Sequence, residues 1–431
     1  MGSPEIKKGV QEPERGDRIA EYLLLCQVLA ATLLQKFALP GSGRMIPLSL
    51  AVMLGAVLAG VLSGRLAFRP AVFAAYLSTM GALVLMAALG LGSRLSITSL
   101  ALLVVIHLPY LFTLGSYPPR PNIHLSYFNN VVCLIAVLGV AQFFLQFLVG
   151  AELAFALDTM LPKDLLLAGY NNLNELRYGG TTLKSNGVFL LEPSFMSQFI
   201  AIAIIIELLY FRRTVVLAVY GIGLIVTYSG TGLIILALLG PLVLIRQKHF
   251  MPLAVAGLVL ALAVLFAESL DLSVFAERLS EFQHTRTSGF ARFVSMFLLL
   301  EEFVWNDARI LLFGRGPGSV TEFFDWVNYE AYEPSWGKLI YEYGLIGFAC
   351  YCAFIFGLVS RAQQSNYVKA ALMVQFFVLA GFVLIPFAHA LILALLVWPR
   401  PAASEAFMGA ATSRIRTSGW ASGRIRQETI G

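Results

Sequence analysis

The sequence predicts an all-α polytopic membrane protein, and two observations support this fold class. First, 58% of the 431 residues are hydrophobic and only 13% are charged, with a mean hydropathy of +0.78. A soluble domain has about 25% charged residues, so these side chains cannot cover a water-exposed surface of this size. The same composition excludes a disordered chain. Second, apolar runs long enough to cross a bilayer recur from near residue 21 to residue 398.

About twelve transmembrane helices are expected from these runs. Residues 214–245 are too long for one span and contain a break at 228–232, and residues 367–398 are interrupted at Pro386. Each of these two regions therefore reads as two helices joined by a tight turn. The remaining spans are predicted near 21–39, 45–63, 70–92, 95–115, 127–149, 193–211, 250–267 and 338–359.

Basic residues orient the predicted spans. Cytoplasmic connections carry an excess of Lys and Arg, and with both termini inside, the inner connections hold Arg65, Arg69, Arg120, Arg212, Arg213, Arg246, Lys248, Arg361 and Lys369. The short outer loops contain only Lys36, Arg44 and Arg94. The net charge of +5 therefore reflects membrane topology, and no nucleic-acid partner is expected.

Two large extracytoplasmic loops stand out in this layout. The predicted order is a cytoplasmic segment 1–20, five spans in 21–149, a first outer loop 150–192, four spans in 193–267, a second outer loop 268–337, three spans in 338–398 and a cytoplasmic basic tail 399–431. The two loops contain 16 of the 25 acidic residues, which a simple channel does not need. Because ATP and nucleotide sugars are absent outside the cell, chemistry there requires an already activated substrate, such as a lipid-linked diphosphate.

The first outer loop ends in charged residues. Arg177 and Lys184 come shortly before Glu192-Pro193-Ser194, where the chain enters a span. Pro favours a first helical turn and an acid there interacts with the positive end of the helix dipole, so one interpretation of Glu192 is structural. Arg177 and Lys184 can likewise be interfacial anchors. The alternative is a binding site for an anionic substrate.

The second outer loop is richer in polar and aromatic residues. Arg286 and Arg292 lie around the start of an amphipathic stretch, 290–305, which we expect to lie along the membrane interface. Aromatic residues at a membrane face usually form a belt, and beside polar groups they also suit sugar rings. These aromatic residues are Phe323, Phe324, Trp326, Tyr329 and Tyr332.

A glycine-rich turn and a charged helix entrance complete the candidates. The turn 314–318 contains Arg315 but lacks the Lys-Ser/Thr ending of a nucleotide-binding loop, so its backbone N–H groups can instead face another anion. Glu333 and Lys338 follow at the start of the next span. No group of residues has the spacing of metal ligands, so no metal and no cofactor is expected.

In their order, these motifs resemble those of bacterial O-antigen polymerases and ligases, the Wzy-type polysaccharide polymerases and their WaaL-type relatives. The resemblance covers roughly residues 170–360. The motifs are Lys184-x-x-Gly187 and Glu192-Pro193-Ser194, Tyr228-Ser-Gly-Thr-Gly232, Ser288-Gly-x-x-Arg292, Gly314-x-Gly-x-Gly318 and Gly344-Leu-Ile-Gly347.

This resemblance implies a GT-C-like glycosyltransferase in the bacterial cytoplasmic membrane that acts on undecaprenyl-diphosphate-linked glycans without a metal or a nucleotide sugar. It also implies contact with membrane lipid and a partner that regulates chain length. Family members hold the diphosphate with arginines in both outer loops. Lys184 fills the first such position, with Arg177 nearby, and Arg292 best fits the second, with Arg286 nearby. Lys cannot make the two-pronged contact of Arg.

The ligases of this family carry a histidine about eleven residues before the late Gly-Leu-Ile-Gly motif. Here that position holds Glu333, with Ser335 as the other register, which favours a polymerase over a ligase. The expected mechanism is a single inverting displacement. A carboxylate, first Glu333 and second Glu192, accepts the proton of the acceptor hydroxyl. Cations offset the charge that develops on the leaving diphosphate, and the candidates are Arg177, Lys184, Arg286, Arg292, Arg315 and Lys338.

Two alternatives remain open from the sequence. A ligase-type transferase would move a finished glycan to a different acceptor. A lipid-linked oligosaccharide flippase or other transporter would also have about twelve spans, but it should show internal repeats, short outer loops and charges near the bilayer midplane. The large outer loops favour the enzyme, and a scaffold in a secretion complex has no supporting feature.

Overall fold

The fold was analysed in a computed structural model that describes residues 15–43, 45–90, 95–115, 122–176, 179–248, 285, 287–322, 324 and 327–399. The protein is mostly helical with little sheet, as the composition predicts. The predicted span 250–267 and the basic tail beyond residue 399 lie outside the described residues, and so does most of the segment 1–20.

The described part of the amino-terminal half contains five longer helices, a short β-ribbon and two single-turn helices at Ala151–Ala154 and Ala156–Thr159. The longer helices are α1 (Arg15–Ala31), α2 (Leu48–Leu62), α3 (Pro70–Leu89), α4 (Ile97–His107) and α5 (Ile123–Val149). Strands β1 (Leu66–Phe68) and β2 (Phe112–Leu114) pair antiparallel, with Leu66 opposite Leu114.

In the second half, the described residues form three helices, then part of the predicted second outer loop with three short helices, then three more helices. They are α6 (Pro193–Ile206), α7 (Thr214–Val226), α8 (Gly230–Arg246), α9 (Ser288–Phe293), α10 (Ser295–Phe303), α11 (Ala308–Phe313), α12 (Ser335–Ser360), α13 (Asn366–Val374) and α14 (Pro386–Ile392). Single π-helical segments extend α6, α13 and α14, at Glu207–Phe211, Gln375–Leu379 and Leu393–Val397.

Four of the described helical segments are long and apolar enough to cross a membrane: Pro70–Leu89, Ile123–Val149, Pro193–Phe211 and Ser335–Ser360. Large apolar side chains such as Leu62, Ile97, Phe147 and Leu148 are exposed on the helices. Exposed apolar surface on this scale is typical of contact with lipid. The apolar helices therefore indicate a membrane protein, and the number of twelve spans stays a prediction.

The two predicted helix breaks are present. Residues 214–246 form α7 and α8 with a turn between them, and Pro386 begins α14 after a non-helical segment that starts at Ala380. Proline fits the first turn because its missing N–H has no helical acceptor there. The same signal begins α3 at Pro70 and α6 at Pro193.

In two predicted spans, the described helix ends well before the predicted end. In the span 95–115, α4 ends at His107, because Pro109 cannot donate the next helical hydrogen bond, and the chain continues into β2. In the span 21–39, α1 ends at Ala31, and the backbone N–H of Ala38 donates to Leu165 in the first outer loop. Pro109 thus decides the end of α4, whereas pairing with a distant segment follows the end of α1, and average hydropathy reports neither.

Helix α6 occupies the centre of the bundle. In the most apolar 18-residue stretch of the segment Pro193–Phe211, 72% of the residues are buried, against 39% in the corresponding stretches of α3 and α5. It packs against α5, α7 and α8. The amino-terminal end of α6, with Glu192 immediately before it, is thereby fixed by several helices.

Candidate functional site

The two large loops that the sequence predicts at the outer face meet at Arg292 and Glu192. Arg292 lies in α9 and Glu192 lies immediately before α6, and their Nη2 and Oε2 atoms form an ion pair at 3.0 Å. The same nitrogen donates to the Ser194 hydroxyl at 3.2 Å, and that hydroxyl donates to Glu192 Oε2 at 3.0 Å. The side chains of Arg292 and Glu192 are 14% and 20% exposed, so an external ligand can reach both.

Tyr332 lies on the other side of Arg292. The Arg292 guanidinium carbon is 5.3 Å from the centre of the Tyr332 ring, a cation–π distance. The Tyr332 hydroxyl accepts a hydrogen bond of 3.1 Å from the Gly381 backbone N–H. Burial raises the pKa of Tyr332 against the opposing effect of Arg292. The phenol is therefore neutral near pH 7 and provides a polarised aromatic surface for the cation.

Lys338 forms the second charged centre, one turn into α12. Its ammonium is 2.8 Å from Glu333 and 2.9 Å from Glu342. The side chains of Lys338 and Glu342 are buried, whereas that of Glu333 is 27% exposed. A buried charge needs a partner, so Glu342 holds the ammonium in place. Glu333 is the carboxylate of this group that a ligand can reach.

Tyr170, in the first large loop, is under the electrostatic influence of residues from both charged centres. Burial raises the pKa of its phenol, and the neighbouring Tyr332, Glu192 and Glu333 raise it further. Both predicted carboxylates therefore lie close enough to act on one tyrosine of the first outer loop. Sequence reasoning missed Tyr170, which has no neighbouring motif. It also assigned no role to Glu342, although a carboxylate four residues after Lys338 in an apolar helix is a detectable signal.

The Tyr228–Gly232 turn supports the amino-terminal end of α6. The Thr231 hydroxyl donates to the Ser194 carbonyl at 3.1 Å, and the Gly232 N–H donates to the Ser197 hydroxyl at 2.9 Å. A Cβ atom on Gly232 would lie 2.2 Å from the Ser197 carbonyl oxygen, so only glycine fits. This motif therefore positions the helix end that follows Glu192.

The glycine-rich turn packs against a break in α12. Gly344 has φ +67°, which interrupts the helix and leaves upstream carbonyls without helical donors. The N–H groups of Arg315 and Gly316 donate to Tyr341 and Glu342 at 2.9 and 2.8 Å. Two of the backbone N–H groups that we predicted to face an anion therefore donate to carbonyl groups of α12 instead.

Arg315 and Lys184, the other described binding candidates, form hydrogen bonds outside these two charged centres. The Arg315 guanidinium donates to the Phe303 carbonyl at 2.6 and 2.9 Å. Lys184 is half-buried, and its backbone N–H donates to Asn174 at 2.8 Å. Arg177 and Arg286 lie outside the described residues.

The residue after Lys184 also forms a hydrogen bond with α5. The next residue, Ser185, donates from its hydroxyl to Gln142 at 2.9 Å. The hydrogen bonds that position Lys184 are therefore made with Asn174 and α5, whereas those that position Arg292 are made at the start of α6.

An apolar cavity of about 180 Å³ is lined in part by Tyr170. Its other lining residues come from the α1–α2 connection, α4, the first outer loop and the start of α14, and they are Met45, Pro47, Leu102, Leu167, Ala168, Leu384, Ile385, Pro386 and Phe387. Ionic and apolar surfaces thus meet at one tyrosine. This arrangement suits an amphiphile with an anionic head and an apolar chain.

We refer to Glu192, Arg292, Tyr332, Glu333 and Lys338 together as the charged cluster. Its cations are suited to binding an anion, and its two partly exposed carboxylates are suited to accepting a proton. Comparison with protein-family models and with curated proteins gave no match.

Proposed function

We propose that this protein polymerises undecaprenyl-diphosphate-linked oligosaccharide units at the outer face of the bacterial cytoplasmic membrane. The product is O-antigen, capsule or exopolysaccharide, formed by metal-independent inverting glycosyl transfer. A GT-C-like bundle of about twelve spans with both termini in the cytoplasm is part of this proposal. A chain-length regulator is the expected partner.

The observation that carries the proposal is the Arg292–Glu192 ion pair between the two outer loops. Arg292 lies within the Ser-Gly-x-x-Arg motif and Glu192 within Glu-Pro-Ser, two of the motifs that together carry the family resemblance. Glu333 and Lys338 lie in the same region, beside Tyr170 and the apolar cavity. A cationic and acidic site next to an apolar cavity matches the chemistry of a lipid diphosphate-sugar.

The charges suggest how such a substrate would bind. The charged cluster together with Glu342 contains three carboxylates and two cations, which gives a formal charge of −1. Because Glu192 already pairs with Arg292, a diphosphate must compete with Glu192 for that cation. Planar guanidinium groups bind phosphate oxygens in pairs. Substrate binding would therefore transfer Arg292 from Glu192 to the diphosphate and free the Glu192 carboxylate.

In the reaction, an acceptor hydroxyl oxygen attacks the anomeric carbon of the donor glycan. The bond from that carbon to the diphosphate oxygen breaks, and the lipid diphosphate leaves with the electron pair. Glu333 accepts the hydroxyl proton, since it is the more exposed of the two candidate carboxylates. Arg292 and Lys338 offset the charge that develops on the leaving group.

Purified protein in lipid nanodiscs, incubated with a lipid-diphosphate-linked oligosaccharide, tests the proposal. A ladder of products that is lost in Arg292→Ala and kept in Arg309→Ala supports polymerisation at this site. Arg309 is a matched control because it is an exposed arginine of the same loop. An unchanged ladder in Arg292→Ala would overturn the role of Arg292.

The same preparation separates the alternatives. Transfer of a single glycan to a second lipid acceptor, without a ladder, would indicate a ligase. Movement of the lipid-linked substrate across proteoliposomes without glycosidic bond formation would indicate a flippase. Either result would replace the polymerase proposal.

A further inference from the structure

A second pocket lies at the opposite end of α12 from the charged cluster. It has a volume of about 250 Å³, and its lining residues are Arg69, Thr113, Leu358, Arg361, Ala362, Gln363, Leu396, Val397 and Pro399. Two are arginines, and none of these described lining residues is acidic. The remaining walls are mostly apolar.

Helix geometry places this pocket at the other membrane boundary. Arg361 caps the carboxyl end of α12, and the continuous helix between it and the break at Gly344 is about 25 Å long at 1.5 Å per residue. Arg69 caps α3, and the far end of α3 at Gly90 packs against Gly314 of the outer loop. Both helices therefore separate the pocket from the outer site by roughly the 30 Å of a bilayer core.

The β-ribbon and the end of the described chain hold the pocket in shape. The Thr113 hydroxyl and the Leu114 N–H both donate to the Trp398 carbonyl, each at 3.2 Å. The Arg69 N–H donates to Leu111 at 2.9 Å. The Trp398 side chain is fully buried. One pocket wall is therefore built from segments that hydrogen bonds tie together.

A third cation lies next to Arg361 in the structure. The Lys369 ammonium donates to the Ser360 carbonyl at 3.2 Å, next to Arg361. Basic side chains at the boundary of apolar helices attract anionic lipid headgroups on the cytoplasmic side. A phosphate bound by Arg69 and Arg361 would have its acyl chains beside Leu358, Leu396 and Val397.

We propose that this pocket binds the headgroup phosphate of an anionic phospholipid from the cytoplasmic leaflet. The bound lipid would contact one end of α3 and one end of α12. The other end of α3 packs against the glycine-rich turn, and the other end of α12 contains Lys338. The proposal depends on the membrane orientation and is independent of which reaction occurs at the outer face. Its failure is therefore distinguishable from failure of the polymerase proposal.

Native mass spectrometry of the full chain with added phosphatidylglycerol or phosphatidylcholine tests this inference. We expect the wild type to retain phosphatidylglycerol selectively. In Arg69→Gln/Arg361→Gln its affinity should fall about 30-fold, the effect of two interfacial cations. Arg212→Gln/Arg246→Gln is the matched control, with the same change of charge on the same predicted face but outside the pocket, and it should bind as the wild type does.

A second variant covers the case in which the double mutant does not fold. Gln363→Glu adds a negative charge at an exposed lining position and should also weaken binding of phosphatidylglycerol. Unchanged binding in the pocket variants would overturn the proposal, as would an equal loss in the control pair. Competition by millimolar inorganic phosphate as effective as that by the lipid would identify a site for free anions instead.

Discussion

The guanidinium of Arg292 lies 3.0 Å from the carboxylate of Glu192, although the two residues are 100 positions apart in the chain. The pair joins the second outer loop to the first at the entrance of the central helix α6. Because both side chains are partly exposed, the contact contributes modestly to stability. Its position between two loops points to substrate binding.

Replacing Arg292 should therefore affect activity more than folding. We expect Arg292→Ala to lower polymer formation by about 10²–10³-fold, the range for loss of one group that stabilises developing charge. Arg292→Lys should retain part of the polymer formation, since lysine keeps the positive charge but lacks the planar guanidinium group that binds two phosphate oxygens. Product ladders measure activity, and thermal unfolding of Arg292→Ala close to that of Arg309→Ala would show that the fold is intact. A large loss of thermal stability would indicate a structural role instead.

The two carboxylates can be distinguished by amide substitution. Glu333→Gln should lower the turnover rate by about 10²–10⁴-fold, because it removes the proton acceptor, whereas Glu192→Gln should mainly change substrate affinity. Initial rates measured over a range of substrate concentrations give both parameters. The reverse pattern would assign the proton acceptor to Glu192.

Lys338 should be required for stability, because it is the ion-pair partner given by the structure for the buried Glu342 carboxylate. Lys338→Met should destabilise the protein by about 3–5 kcal/mol, the cost of leaving one charge of a buried pair uncompensated. Lys338→Met/Glu342→Gln should recover much of that loss. Thermal unfolding in detergent measures both variants, and equal losses would show that the pair is not coupled.

The contact of the glycine-rich turn with α12 predicts strong effects of single methyl groups. A Cβ atom on Gly344 would lie 2.3 Å from the Leu312 carbonyl, and its φ of +67° disfavours L residues. Gly344→Ala should therefore cost about 3 kcal/mol or more. Gly357→Ala is the control in the same helix, with open space around the added Cβ, and it should be neutral or slightly stabilising. Equal melting temperatures would contradict the packing argument.

The proposed topology predicts opposite labelling of two exposed sites. In a background without the four native cysteines, Glu330→Cys should react with a membrane-impermeant maleimide added outside intact cells. Gln363→Cys should react only after the membrane is opened. Labelling of both residues from the same side would rule out the proposed orientation of α12.

Composition and local patterning were sufficient for the fold class, the helix breaks near Tyr228 and Pro386, and the loops in which charged residues gather. They also singled out Arg292, Glu192, Glu333 and Lys338, because charges are scarce in an apolar chain. These features depend on hydropathy and on turn chemistry, which neighbouring residues determine.

Only the tertiary structure decided which of these residues meet. The ion pair between Arg292 and Glu192 joins residues that are far apart in the sequence. The same is true of the electrostatic effect of both carboxylates on Tyr170, and of the contact between the glycine-rich turn and the helix break at Gly344. The extended segment after α1 likewise depends on a long-range hydrogen bond, from the Ala38 N–H to the Leu165 carbonyl. These contacts depend on how the whole helix bundle packs, because the packing determines which buried charges form ion pairs and which carbonyl groups accept hydrogen bonds.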